Sequence, residues 1–241
     1  MALCYVLCCV VLPLLLLPAC IIARATSIRI ACWDWVTYNG FFRLCQLRYR
    51  IRGTFIESGF ILANHRSWCD FAYDPFVSGS AVVGRPAAFA AMLFQALLGF
   101  IEQRFIVLSR ARSRHEAFAS ILRFTRAGGP YSGRVLFWPE GTRRSHTQLT
   151  LLETARLLKP GLLKSIYEHR PCQMPVQIML SRNKELVFDE KRLRVGIGEI
   201  VYTELSDAID PRDFATFEAF YDRVCVEWFE LWQRLYAPGE S

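Results

Sequence analysis

Two short segments of this chain hold residue types that are suited to proton transfer and to anion binding. Residues 64–70 read Asn-His-Arg-Ser-Trp-Cys-Asp, which puts His65 and Asp70 in one tight stretch. Residues 137–145 read Phe-Trp-Pro-Glu-Gly-Thr-Arg-Arg-Ser, in which a Gly-Thr turn is flanked by Glu140 and two arginines. A base with its orienting acid, followed by a cradle for an anion, indicates a transferase that acts on a phosphorylated alcohol.

The spacing of His65 and Asp70 restricts how the two side chains can meet. On a straight helix, residues five positions apart point roughly 140° away from each other. Contact therefore requires His65 on a loop after a strand and Asp70 in the first turn of the following helix. A carboxylate bonded to Nδ1–H then fixes the imidazole tautomer and leaves Nε2 free to accept a hydroxyl proton. Taken alone, the pair also fits a buried histidine bonded to a helix-capping aspartate.

Each segment has a second interpretation. Cys69 stands four residues after His65, so a thiol nucleophile paired with the histidine is an alternative. Nothing else in the chain resembles a cysteine hydrolase, and a small residue is all that this position requires. In the second segment, Gly141 lets backbone N–H groups approach an anion, Thr142 adds a hydroxyl donor and Arg143 can bind phosphate bidentately. A plain β-turn with solvated charges would have the same sequence.

The elements that must position these segments alternate between strands and helices. Phe60–Ala63 is an apolar run that predicts a buried strand ending at His65, and Tyr49–Phe55 alternates like a half-buried strand. A capping box at Ser113–Glu116 predicts the start of one helix, and Asp210 followed by proline predicts the start of another. Further strands are predicted at residues 134–138, about 173–180 and about 193–202. The alternation favours an α/β fold with ligands at the C-terminal ends of strands.

The N-terminus differs from the rest of the chain. Residues 2–23 contain no charged side chain, and a run of this length can cross a bilayer as a helix. Two prolines would kink it, so a segment lodged in one leaflet is an alternative. Residues 23–25 resemble a signal-peptide cleavage site, but the positive charges come after the apolar run, at Arg24 and Arg29. We therefore expect a retained anchor whose C-terminal side lies in the cytosol.

Length, charge and cysteines narrow the class of protein. The 241 residues fit one domain, and we divide them into an anchor (1–25), an interfacial helical segment rich in aromatic residues (26–47) and a catalytic domain (48–241). The net charge of +7 comes chiefly from arginine. The stretch between residues 102 and 126 contains six arginines and two glutamates. Because the sequence has no nucleic-acid-binding signature, we expect an anionic lipid or a phosphorylated substrate as the partner, and no nucleic acid. Nine cysteines without zinc-ligand spacing favour free thiols, no metal and a reducing compartment.

These motifs resemble those of the lysophosphatidic acid acyltransferase (glycerolipid acyltransferase) family. Asn64-His65 with Asp70 matches the family's His-x4-Asp motif, and residues 137–143 match its Phe-Pro-Glu-Gly-Thr-Arg motif with a tryptophan inserted. Residues 105–110 resemble a family strand that ends in an arginine, Arg110. Met174-Pro175-Val176 is the best match to a fourth, proline-led motif. The resemblance covers roughly residues 45–180.

The resemblance implies a fold, a reaction and a set of site residues. The fold would be α/β, with a mixed sheet flanked by helices and an N-terminal membrane helix. The activity would be acyl transfer from acyl-CoA to a lysophospholipid hydroxyl, with His65 as general base oriented by Asp70 and with no metal or further cofactor. The compartment would be the endoplasmic reticulum membrane, with the domain facing the cytosol. The residues implied for binding the phosphorylated acceptor are Arg110, Glu140, Gly141, Thr142, Arg143 and Pro175.

Three functions remain open from the sequence. The leading one is a 1-acylglycerol-3-phosphate acyltransferase that forms phosphatidic acid. A remodelling acyltransferase with another lysophospholipid acceptor is the nearest alternative. A catalytically silent membrane lipid-binding or scaffolding protein is an alternative of a different class. The presence of His65, Asp70, Glu140 and Arg143 argues against this last interpretation, because a silent protein has no need of all four.

Overall fold

The protein folds around a seven-stranded mixed sheet with helices on both faces. The computed structural model describes residues 10–26, 31–84, 86, 89, 93–108, 114–126, 131, 133–144, 148–189, 192 and 194–236. The strands are β1 (Arg48–Arg52), β2 (Gly59–Ala63), β3 (Ala81–Gly84), β4 (Phe105–Val107), β5 (Arg134–Phe137), β6 (Val176–Arg182), β7 (Phe188–Asp189), β8 (Arg194–Val195) and β9 (Ile200–Leu205). The helices are α1 (Leu12–Ala25), α2 (Cys32–Val36), α3 (Asp70–Ser78), α4 (Leu93–Ile101), α5 (Arg114–Arg126), α6 (Leu151–Leu157), α7 (Pro160–Glu168), α8 (Lys184–Val187) and α9 (Phe217–Tyr236).

The strand order sets the position of the functional loops. In the large sheet the order is β1-β9-β6-β2-β5-β3-β4, and β7 pairs with β8 in a separate ribbon. Strands β6, β2, β5, β3 and β4 run parallel, whereas β9 is antiparallel to β6 and carries β1 parallel to itself. The α/β class and the mixed sheet are confirmed. Because parallel strands end at one edge, the loops after β2, β3, β4, β5 and β6 lie together there.

Two strands show how neighbours decide burial. Every residue of β2 is buried, as the apolar run predicted, because β6 and β5 flank it and helices cover both faces. The half-buried prediction for β1 was wrong, since all five of its residues are exposed. This strand lies at the edge of the sheet, and β9 is its one partner among the described strands. Its alternate arginines remain in solvent, as is common for edge strands.

The core lies mainly between the sheet and three helices, α5, α7 and α9. From α9, Trp228, Leu231 and Trp232 are almost completely buried in it, and each contributes roughly 1.5–3 kcal/mol of hydrophobic stabilisation. This helix begins at Phe217, so the prediction of a start after Asp210 was wrong. Asp210 instead accepts the Arg212 N–H and caps a single 3₁₀ turn, because the chain becomes extended at the next residue after that turn.

The N-terminal segment packs against the far end of the sheet. Helices α1, α2 and α4 share a cluster that includes Cys20, Trp33 and Phe105, and α2 continues into a π-helical turn at Thr37–Phe42. In the predicted interfacial segment Trp33 is buried, whereas Trp35 is about half exposed. None of the helices in the described part of the chain combines the length and hydrophobicity needed to span a bilayer, and α1 has 14 residues. The predicted anchor falls partly on residues 1–9, which lie outside the described residues.

Candidate active site

The first motif forms the histidine–carboxylate pair that its spacing allowed. His65 lies on the loop directly after β2, and Asp70 is the first residue of α3. Nδ1 of His65 lies 2.6 Å from Asp70 Oδ2, and the backbone N–H groups of Arg66 and Ser67 donate to the same oxygen at 2.5 and 3.0 Å. With Asp70 ionised, Nδ1 carries the proton and Nε2 is the basic nitrogen.

A buried lysine stabilises the ionised form of Asp70. Lys184 Nζ, from α8, lies 3.0 Å from Asp70 Oδ1 and donates to Asp74 Oδ1 at 2.9 Å and to the Asn64 carbonyl at 2.8 Å. Burial opposes ionisation of Asp70, but the charge of Lys184 and the bond from His65 hold its pKa below the usual range. Burial raises the pKa of Asp74 despite the same lysine. Asp70, the carboxylate bonded to the imidazole, therefore keeps its negative charge.

The tryptophan in the second motif joins that motif to the first. The ring of Trp138 stacks on His65 with centroids 5.1 Å apart, and Phe71 meets the imidazole edge-on at 5.7 Å. Trp138 Nε1–H donates to Asp74 Oδ2 at 2.8 Å. The N–H of Arg144 donates to the His65 carbonyl at 2.9 Å, so the two loops are held together by backbone as well. These contacts restrict the imidazole to one orientation.

Glu140 lies beneath the histidine rather than in the open site. Its side chain is buried and its carboxyl group meets the backbone N–H of His65, although neither oxygen has a well-formed hydrogen bond from the described residues. Burial, together with the negative charge of Asp70, raises the pKa of Glu140 to about 8. At neutral pH this side chain is therefore chiefly a neutral carboxylic acid. The prediction that Glu140 contacts the acceptor is not supported by this position.

Gly141 has a backbone that only glycine adopts easily. Its φ is +67°, and a Cβ at this position would collide with the side chain of Lys159. Its N–H donates to the Trp138 carbonyl at 3.0 Å, which closes the turn. This N–H is therefore occupied in the turn and does not serve the predicted anion cradle.

A cavity of about 590 Å³ opens beside the histidine. Its wall comes from the C-terminal ends of the strands and from helices α5 and α7, and it is mostly apolar. Among the described residues of this wall, Lys159 is a cation, and Gly141 also borders the space. Pockets of this volume and character suit a small or chain-like organic ligand. The apolar lining residues include Val83, Leu108, Phe118, Ile121, Phe137 and Leu162.

The other predicted binding residues do not lie together in the cavity wall. Arg143 and Thr142 are exposed, and the Arg143 guanidinium lies 5.0 Å from the centre of the Trp68 ring, outside the cavity wall. Arg110 lies outside the described residues. Pro175 precedes β6, and its carbonyl accepts the Phe60 N–H at 2.8 Å, at the N-terminal edge of the sheet. Because β6 runs parallel to β2, Pro175 lies at the opposite edge from His65.

The thiol beside the histidine is buried. Cys69 is 1% exposed, and burial followed by the charge of Asp70 raises its pKa well above the ordinary value. A thiol in this state is neither ionised nor in reach of a ligand. The structure therefore favours packing over nucleophilic attack for this residue.

Four residues of the site were not predicted from the sequence. Asp74 carried a local signal, because it lies four residues after Asp70 and so faces the same side of α3. Trp138 was noticed only as an insertion in the motif. Lys184 reaches the site from a short helix after β6, so nothing near either motif indicates it. Lys159 likewise enters the cavity wall from the segment before α7.

This fold and site define an α/β protein with a histidine–aspartate pair at the C-terminal edge of a mixed sheet. The crystal structure of the 1-acyl-sn-glycerophosphate (LPA) acyltransferase PlsC from Thermotoga maritima matches with a TM-score of 0.63 at 16% sequence identity, covering 87% of this chain and 80% of that chain. No protein-family model matches the sequence, and no curated protein does so either. The match shows that the chain has the fold of this acyltransferase.

Proposed function

We propose that the protein transfers an acyl chain from acyl-CoA to the free hydroxyl of a lysophospholipid, with 1-acylglycerol 3-phosphate as acceptor and phosphatidic acid as product. The observation that carries this proposal is the His65–Asp70 pair, whose histidine borders a largely apolar cavity. The fold shared with PlsC supports it, because that protein is a 1-acyl-sn-glycerophosphate acyltransferase. The apolar wall suits a hydrocarbon chain.

The reaction needs one base and no covalent enzyme intermediate. Nε2 of His65 takes the proton from the acceptor hydroxyl as its oxygen attacks the thioester carbonyl. The tetrahedral intermediate collapses, the C–S bond breaks, and the CoA thiolate leaves with the proton that His65 returns. Asp70 keeps Nδ1–H in place and stabilises the imidazolium that forms between the two steps. Base catalysis of this kind contributes about 10²- to 10⁴-fold in rate.

The acceptor phosphate requires positive charge near the cavity. Lys159 is exposed at the wall, and its side chain extends toward Gly141, where it occupies the space that a Cβ on this glycine would need. We propose that Lys159 attracts the phosphate at the cavity, with Arg143 binding it at the rim after leaving the Trp68 ring. Arg110 stays a prediction from the motif. Bidentate contact from an arginine would add directionality that lysine lacks.

The cellular setting follows from the lipid substrates. We propose that residues 2–23 hold the protein in the membrane of the endoplasmic reticulum with the domain on the cytosolic side. Apolar side chains exposed on α1, including Leu15 and Ile22, and on α4, such as Leu97, support contact with a bilayer. Extraction of the full chain by carbonate, or a mature N-terminus at Thr26, would contradict the anchor.

The deciding assay uses purified membranes with labelled oleoyl-CoA and a panel of lysophospholipids. We expect the strongest transfer to 1-acylglycerol 3-phosphate, and loss of transfer in His65→Ala. His169→Gln is the matched control, because it removes the other described histidine side chain at a position outside the cavity wall. Transfer only to another lysophospholipid would identify a remodelling enzyme. Absence of transfer to every acceptor would favour a lipid-binding scaffold.

A further inference from the structure

Two cysteines and a glutamate from three separate segments meet on the N-terminal side of the protein. Cys20 lies in α1, Cys32 is the first residue of α2, and Glu102 follows α4 directly. Their ligand atoms, two Sγ and one carboxyl oxygen, all lie within 4.8 Å of one another. This cluster is distinct from the histidine site, and none of its residues borders the cavity.

The surroundings of the cluster satisfy its carboxylate only in part. Both thiols are buried, at 3% and 2% exposure. Glu102 Oε1 accepts the backbone N–H of Trp33 at 3.0 Å and the carboxylate also meets the backbone N–H of Cys32, whereas Oε2 is buried and has no well-formed hydrogen bond from the described residues. A buried carboxylate oxygen without a partner is costly, and such groups call for an explanation. A bound cation at the point where the three side chains converge would supply it.

We propose that Cys20, Cys32 and Glu102 bind one divalent cation of the zinc class, with water as the fourth ligand. Zinc takes thiolate and carboxylate ligands in tetrahedral geometry, with bonds of about 2.3 Å to sulfur and about 2.0–2.2 Å to oxygen. A tetrahedron with such bonds separates its ligand atoms by roughly 3.5–4 Å, which the observed limit accommodates. Hard cations such as magnesium and calcium are disfavoured because two of the three ligands are sulfur.

The neighbouring residues form a shell that orients the carboxylate. The Trp33 N–H donates to Oε1 and so restrains the carboxylate, as outer hydrogen bonds commonly do for metal ligands. The Trp33 ring is itself held between the Arg104 guanidinium, 4.3 Å from its centre, and the Phe105 ring at 6.1 Å. The third ligand is therefore positioned by residues that are themselves buried.

The consequence is structural. Helices α1 and α2 carry exposed apolar side chains and are joined to the sheet through packing near α4. A metal that bridges one residue from each of these segments would fix the orientation of α1 against the domain. Common zinc spacings within a single stretch are absent from the sequence, because the three ligands come together only when the chain folds.

The test measures metal content, and its outcome is independent of acyltransferase activity. The full chain is purified in detergent with reductant after growth in zinc, and its metal is quantified by mass spectrometry. We expect about one zinc per chain, falling roughly tenfold or more in the Cys20→Ser, Cys32→Ser double variant and in Glu102→Gln. A Cys45→Ser, Cys225→Ser double variant is the matched control, since it removes two buried thiols elsewhere and should keep the zinc.

A second measurement covers the case in which the double variant fails to fold. In the wild-type chain loaded with cobalt, thiolate ligation gives near-ultraviolet charge-transfer absorption, and a chelator should abolish it and expose Cys20 and Cys32 to alkylation. Zinc at background level in the wild-type chain would overturn the proposal. So would retention of zinc in the Cys20→Ser, Cys32→Ser variant, or a disulfide between these two residues in protein isolated without reductant.

Discussion

The burial of Glu140 beneath the histidine predicts a measurable dependence of protein stability on pH. The pKa of Glu140 rises from its ordinary value of 4.5 to about 8, because the side chain is buried and faces the charge of Asp70. A carboxyl whose pKa is raised by folding binds its proton more tightly in the folded state. Its contribution is therefore most favourable below pH 4.5 and is lost as pH rises toward 8.

The size of the effect follows from this shift. At 1.36 kcal/mol per pKa unit, Glu140 costs about 3 kcal/mol of folding free energy at pH 7, and about 5 kcal/mol above pH 9. Glu140→Gln keeps the shape and stays neutral at every pH. The variant should therefore gain stability over the wild-type chain as pH rises. For a chain of this size, about 3 kcal/mol corresponds to a gain of about 6–12 °C in Tm between pH 4.5 and pH 7.

Thermal melts followed by tryptophan fluorescence, in detergent and from pH 4.5 to 8, measure this difference. Glu57→Gln is the control, because Glu57 is exposed and its replacement should leave the two melting curves parallel. We also expect Glu140→Gln to retain acyl transfer within several-fold, since a neutral side chain already occupies this position at pH 7. A Tm difference that does not change with pH would show that Glu140 is ionised in the folded protein and would refute the argument.

Three further changes separate the roles of the site residues. Asp70→Asn should lower kcat by about 10³- to 10⁴-fold, since the imidazole loses its tautomer control, and steady-state rates on folded protein check this; a near-normal kcat would contradict it. Cys69→Ala should keep activity within several-fold, and a hydroxylamine-labile acyl group on Cys69 would instead revive the thiol nucleophile. Arg143→Ala should raise KM for the phosphate-bearing acceptor about 10-fold or more and leave KM for acyl-CoA nearly unchanged. Equal effects on both would indicate a structural role.

Local sequence signals predicted the parts of the site that local geometry controls. The buried strand before His65 and the position of Asp70 in the first helical turn both follow from residue spacing within one segment. The strand before the second motif, β5, was predicted for the same reason. Each of these features depends on residues that are adjacent in the chain, so composition and periodicity are enough to identify it.

The features of the site that could not be predicted from the sequence depend on contacts between distant segments. Burial of Glu140 arises only after β5 is inserted between β2 and β3, so an acid that looked like a substrate ligand becomes a neutral interior group. Lys184 reaches Asp70 because β6 lies beside β2 in the sheet, a pairing that neither motif encodes. Pro175 was assigned to the site from its motif, but the direction of β6 places it at the opposite edge.

The distribution of buried charge explains how the histidine works as a base. Three carboxyl groups surround Lys184 and His65, and burial alone would push all three toward the neutral form. Asp70 stays ionised because two backbone N–H groups, the imidazole and Lys184 all stabilise its charge. Burial instead raises the pKa of Asp74 and of Glu140. An ionised carboxylate therefore lies against Nδ1, where the imidazolium will form.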